Sequence, residues 1–168
     1  MKKLALLAAA FFAAAPVLSA QTGTLTFVNG GSVDDGHYYV GNYNAKLDGA
    51  PITVNCVDFF HEVNNGDVWT VNETSLTGGD LSNTRLAGNS NALDLYEQAA
   101  FLTGQYAGAS NTDIVNIQHA IWTLFGGVTD PNVNNAASQA WITFAQTNFA
   151  TSNFDYSHYE VLTQVGAA

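Results

Sequence analysis

The chain has 168 residues, 14 Asp and Glu against four Lys and Arg, and one cysteine. So acidic a composition argues against nucleic acid as a partner, which a basic surface would hold. A lone cysteine excludes an internal disulfide and any cysteine-cluster metal site.

In chain order, Lys2 and Lys3 begin a charged start, Leu4 to Val17 is almost wholly apolar, and Leu18-Ser19-Ala20 ends in small residues. This is the pattern of a secretory signal peptide over residues 1–20, with cleavage expected after Ala20 or Ser19. The apolar run is short for a membrane span, which needs about 20 such residues. The mature part, Gln21 to Ala168, is the size of one domain and is expected to be secreted or held at the cell surface, with no membrane span after cleavage. Losing Lys2 and Lys3 leaves Lys46 as its only lysine and Arg85 as its only arginine.

Alternating apolar and polar residues, rich in β-branched and aromatic types, predict strands at Thr24–Val28, Tyr38–Tyr43, Ile52–Phe60, Val68–Asn72 and Tyr156–Gln164. Turn signals separate the first four, including Asn29-Gly30-Gly31, Asp34-Asp35-Gly36, Asp48-Gly49 and Asn65-Gly66. The middle of the chain changes period and predicts helices at Asn91–Tyr106, Thr112–Phe125 and Asn135–Asn148. The second is the clearest: Ser110 to Asp113 can cap it, Ile114, Ile117, Ile121 and Leu124 make a stripe, and Gly126-Gly127 stops it. In the third, Ala137, Trp141, Phe144 and Ala145 make the apolar face. The expected fold is α+β, an antiparallel β-sandwich or barrel with an inserted helical lobe of about three helices. The segment from Gln164 to Ala168 carries no basic stop, hydrophobic anchor or sorting motif, so no tether is expected there.

Two residues stand out against this pattern. On the predicted strand, Ile52, Val54, Cys56 and Asp58 share a face, which directs Cys56 to the core. On the second helix, Gln118 lies four residues from Ile114 and Trp122 and three from Ile121, within the apolar stripe. A buried carboxamide without partners costs about 1–3 kcal/mol. Gln118 therefore has to be hydrogen-bonded, sit at the stripe's edge, or have reacted.

The segment Asn55-Cys56-Val57-Asp58, with His61 and Gly66-Asp67-Val68-Trp69 after it, and Ile117-Gln118-His119-Ala120-Ile121-Trp122 further on, resembles the thioester domains of bacterial surface adhesins. A helix like Tyr96-Glu97-Gln98-Ala99-Ala100-Phe101-Leu102 ahead of the glutamine makes it more similar to a related group of exported Gram-negative proteins, many with PEP-CTERM sorting tails. The likeness covers roughly Tyr39 to Gly126, and its glutamine motif is the more specific of the two. The resemblance implies an internal thioester between the Cys56 thiol and the Gln118 side chain, formed with loss of ammonia. It also implies covalent capture of a nucleophile on a protein or polysaccharide partner, without a cofactor. This chain departs from the adhesin pattern at Ile117, where threonine is usual, and at Asn55, where an aromatic is usual.

A thioester carbonyl is more open to amines than an amide is, because sulfur donates poorly into it. A protein holding one gains from having few lysines of its own. His119 and His61 are the candidate assisting groups, able to take a proton from the nucleophile. A cysteine hydrolase would need one of His37, His61, His119 or His158 as base, but His61 lies an odd number of residues from Cys56, and His119 is about 100° around the helix from Gln118. The four histidines show no metal-ligand spacing, and Asp34-Asp35-Gly36 lacks the rest of a calcium loop. Trp69, Trp122 and Trp141 are expected in the core, His119 partly exposed, and Tyr38, Tyr39 and Tyr43 either in the core or free for carbohydrate or protein contact. The competing reading is an exported β-rich structural or matrix-binding module in which Cys56 and Gln118 pack together without a bond.

Overall fold

A computed structural model describes residues 21–78 and 80–166; the signal-peptide reading of residues 1–20 and the last two residues of the tail lie outside the described residues. Among the described residues, seven strands and three α-helices follow in the order β1 (Gln21–Asn29), β2 (Val33–Asp34), β3 (Tyr39–Val40), β4 (Tyr43–Leu47), β5 (Ala50–Val54), β6 (Val68–Ser75), α1 (Ala92–Gly104), α2 (Asn111–Leu124), α3 (Ala136–Asn148) and β7 (Glu160–Gln164). Five strands form one antiparallel sheet in the order β5-β4-β1-β6-β7, curled into a half-barrel, and β2 and β3 form a separate ribbon. The three helices are inserted between β6 and β7, which pair directly. The fold is α+β, as its sequence implies. Among the described residues no helix is long and apolar enough to cross a membrane.

Local chemistry explains most of the elements. Asp48-Gly49 makes the two-residue turn of the β4–β5 hairpin, with both residues at positive φ, 49° and 85°, so that Leu47 pairs with Ala50 and Ala45 with Ile52. Ser110 caps α2 by accepting from the Asp113 N–H, and Asn135 and Ser138 form a reciprocal capping box on α3.

Three expectations need correction. The strand predicted over Tyr38–Tyr43 is broken at Gly41, whose φ of 84° turns the chain from the β2–β3 ribbon into β4. The strand predicted over Ile52–Phe60 stops at Val54, because its partner β4 begins at Tyr43 opposite that residue and offers no ladder beyond it. Cys56 thus sits in an irregular loop, and strand alternation does not orient it. The segment predicted as strand from Tyr156 opens with a single 3₁₀ turn, Tyr156–His158, before β7 begins.

The helices also differ from the simple amphipathic picture. Six consecutive residues of α2, Ile117 to Trp122, are buried, so this stretch of the helix is enclosed on all sides rather than along one stripe. Its Ile117, Ala120 and Ile121 share a core cluster with Leu102 from the end of α1, Tyr106 just beyond it, and Ile142 and Ala145 from α3. On α3 the buried residues are Ser138, Ile142 and Ala145, while Phe144 is 39% exposed. Ser138 turns this face inward by donating to Val133 O at 2.8 Å and by serving the capping box. Of the three tryptophans only Trp122 is fully buried.

Candidate functional site

The loop after β5 is pinned to α2 from both sides of Cys56. Val57 packs against the cluster built on Ile117 and Ile121, and Phe59 packs at a tilt against Trp122 with ring centroids 5.3 Å apart. Tyr38, from the ribbon, packs edge-on against both Phe59 and Trp122, at 5.2 and 5.8 Å. Asp58 then fastens the loop at the surface: its carboxylate meets His61 Nδ1 at 2.6 Å and Arg85 Nη1 at 3.1 Å, and accepts from the Phe60 N–H. Such half-exposed ion pairs contribute at most about 1 kcal/mol each, so the buried aromatic contacts carry most of the anchoring.

This packing brings Cys56 and Gln118 together across 62 residues of sequence. Gln118 is 0% exposed, and its Nε2 donates to the backbone carbonyl of Cys56 at 2.7 Å. Its Oε1 accepts from the Tyr106 hydroxyl at 3.0 Å. A carbonyl oxygen can only accept, so the nitrogen must face Cys56 and the oxygen must face Tyr106. The carboxamide is fixed in one orientation. The Cys56 thiol donates to Asp58 O at 3.0 Å. Burial pushes the thiol pKa up and the negative Asp58 adds to this, against opposing pulls from the Asp58 backbone bond, Trp122 and Arg85. Trp122 Nε1 itself is buried with no acceptor in hydrogen-bonding geometry among the described residues.

Tyr106 follows the last turn of α1, its N–H closing onto Thr103 O at 3.1 Å, and it is 7% exposed. Burial first, then the neighbouring Tyr43 and Cys56, push its phenol pKa far above the ordinary tyrosine value, so it stays a donor. Tyr106 also lines a cavity of about 170 Å³, with Ser32, Val33, Val40, Asn42 and Ile114 as the other walls. Tyr43, likewise buried, packs edge-on against Phe27 and donates to Tyr39 O at 2.6 Å. Tyr39 is 63% exposed, so the three neighbouring tyrosines divide between core and surface.

The two histidines singled out from the sequence go elsewhere. His61 is exposed and engaged with Asp58. His119, expected to be partly exposed, is buried: its ring lies over Trp122 at 5.7 Å, and its Nε2 meets Asp35 Oδ2 at 2.7 Å. Asp35 Oδ1 in turn accepts from the His37 and Tyr38 N–H groups at 2.8 and 2.7 Å. Among the described residues His119 Nδ1 has no partner. Among the described residues no histidine ring hydrogen-bonds Cys56 or Gln118. Sequence reasoning missed Tyr106 and Asp35, since both reach the site by tertiary packing. Asp35 stands in the turn signal Asp34-Asp35-Gly36, which carries no sign of a partner on α2.

The site sets the half-buried Cys56, through its backbone carbonyl, beside an oriented carboxamide whose oxygen is held by a neutral donor, residue types able to support acyl transfer between sulfur and nitrogen. Comparison with protein families, characterised proteins and solved structures finds no match to this chain.

Proposed function

We propose that this is an exported capture protein in which Cys56 and Gln118 join as an internal thioester that then bonds covalently to a partner. The observation that carries this reading is the Gln118 carboxamide itself, wholly buried, bound on nitrogen by Cys56 O and on oxygen by the Tyr106 hydroxyl. In the forming step the Cys56 sulfur adds to Gln118 Cδ, the thiol proton ends on the departing nitrogen, the C–N bond breaks and ammonia leaves. In the capture step an amine or hydroxyl on the partner adds to the same carbon and the C–S bond breaks. The partner's proton passes to sulfur, leaving an amide or ester to Gln118 and a free Cys56 thiol. Burial of the bond limits attack by water. Each molecule reacts once, so the protein is a capture device rather than an enzyme.

The resemblance to adhesin thioester domains and the signal-peptide pattern support a secreted or cell-surface protein whose partner is a surface or host protein or polysaccharide. The scarcity of lysine agrees with this: Lys46, the only one beyond residues 1–20, lies exposed on β4. The competing reading, a non-reactive exported module, draws on the same hydrogen bonds, which satisfy an unreacted carboxamide.

Intact mass of the mature protein decides between them. The expected result is a deficit of one ammonia, absent from Cys56→Ala and from Gln118→Ala, with a single methylamine added on incubation and a thiol released. An undiminished mass with a titratable thiol would leave the non-reactive module. Repeated turnover of ester or amide substrates would instead indicate a hydrolase.

A further inference from the structure

We infer that Tyr106 is a catalytic residue of this site, its hydroxyl being the donor that receives the oxyanion both when the thioester forms and when a nucleophile consumes it. The inference rests on the thioester reading and assigns the residue that makes the bond reactive.

Both steps pass through a tetrahedral carbon at Gln118 Cδ, whose former carbonyl oxygen carries the negative charge. A preorganised donor aimed at that oxygen lowers both barriers, and inside a water-excluded site it has no competitor. Gln118 Oε1 has one hydrogen-bond donor among the described residues, the Tyr106 hydroxyl at 3.0 Å. The other contact of the carboxamide lies on its nitrogen, the leaving group of the forming step. The two bonds thus divide the work: Cys56 O holds the group that departs, and Tyr106 holds the atom that becomes charged. The donor must remain protonated, and the strongly raised phenol pKa ensures that it does at any physiological pH. No base is needed to restore it, because its proton is shared with the oxyanion and never lost. When the tetrahedral centre collapses, the electron pair returns from oxygen to carbon and the C–N or C–S bond breaks.

Position adds to the argument. Tyr106 follows α1 directly, its ring packed in the same cluster as Ile117 and Ile121, so the hydroxyl is held by backbone and core rather than by a mobile loop. The same side chain also lines the cavity bounded by Ser32, Val33, Val40, Asn42 and Ile114.

The test is Tyr106→Phe, which keeps the ring and removes the hydroxyl, with Tyr43→Phe as the neighbouring control. Tyr43 donates to Tyr39 O and makes no bond to Gln118. Three readings are taken on the mature protein: intact mass for the ammonia deficit, the rate of methylamine capture by mass spectrometry, and the thermal unfolding curve. The expected result is that Tyr106→Phe carries the deficit in only part of its molecules, and that this part captures methylamine roughly 100-fold more slowly than wild type. Tyr43→Phe should capture at the wild-type rate. A Tyr106→Phe protein with the full deficit and a capture rate within about twofold of wild type overturns the inference while leaving the thioester reading intact. A wild-type protein without the deficit overturns both. If Tyr106→Phe does not unfold cooperatively, 3-fluorotyrosine at position 106, a stronger donor of nearly the same shape, replaces it. Capture should then be faster than wild type, and an unchanged rate overturns the inference.

Discussion

Asp35 and His119 show how a single buried pair can tie a surface turn to the helix that carries Gln118. Burial by itself would raise the Asp35 pKa, but the N–H groups of Tyr38 and His37 and the hydrogen bond and charge of His119 outweigh it and hold it below the ordinary value of 3.8. A depressed folded pKa means that the stabilisation is complete above the ordinary value and is lost as the pH falls through the lower, folded one. Asp35→Asn removes that titration. Urea unfolding across a pH series should show a loss of about 1–3 kcal/mol at neutral pH and a shallower acid limb than wild type. An acid limb as steep as wild type would mean that other carboxylates carry the dependence. The residues that compose this pair were visible in the sequence, a turn aspartate and a helix histidine, but their meeting was not. They lie 84 positions apart.

At the scale of elements, the β2–β3 ribbon reaches the site through Gly41. A Cβ there would stand 2.7 Å from Ile114 Cγ2, and the residue has a φ of 84°, so a side chain meets both a clash and a backbone conformation that L residues resist. Gly49, in the β4–β5 turn, has a similar φ of 85° but open space around it. Comparing Gly41→Ala with Gly49→Ala therefore separates close approach from strain. Gly49→Ala should cost about 1 kcal/mol, and Gly41→Ala about 1–3 kcal/mol more, read from urea midpoints. Equal losses would mean that α2 gives way to the added methyl. The same neighbourhood explains why β5 ends early. Once Gly41 has turned the chain, nothing remains opposite Asn55 to continue the ladder, and Cys56 is released into a loop that can bend toward α2.

For the whole molecule, a Cys56–Gln118 bond would cross-link the loop after β5 to the helical lobe, which the chain inserts between the paired strands β6 and β7. Closing a loop of this length removes unfolded-state entropy worth roughly 4 kcal/mol on the disulfide scale, an upper figure that omits strain. On the thioester reading, methylamine would open the loop without removing any side chain. Treated protein should therefore unfold at a lower temperature, by up to roughly 8–16 °C on the usual conversion for a domain of this size. Cys56→Ala should show no further fall on the same treatment. An unchanged unfolding temperature after stoichiometric capture would mean that core packing alone determines stability.

What the sequence determined by itself was whatever depends on neighbours within a turn or two. The three helices, the Ser110 cap, the Asp48-Gly49 hairpin and the insertion of helices between β-rich halves are all of this kind, because capping, period and turn chemistry act over a few residues. The fold class follows from their order. Tertiary structure alone decided where β5 would stop, that Ile117 to Trp122 of α2 would be buried on every side, that the Trp141–Phe144 side of α3 would lie partly outward, and that Tyr106 rather than a histidine would meet the Gln118 oxygen. Those outcomes depend on which distant segments pack together. Cys56 and Gln118 were legible as a pair through their motifs, but their contact runs through a backbone carbonyl and a tyrosine hydroxyl that only the packed helices bring into place.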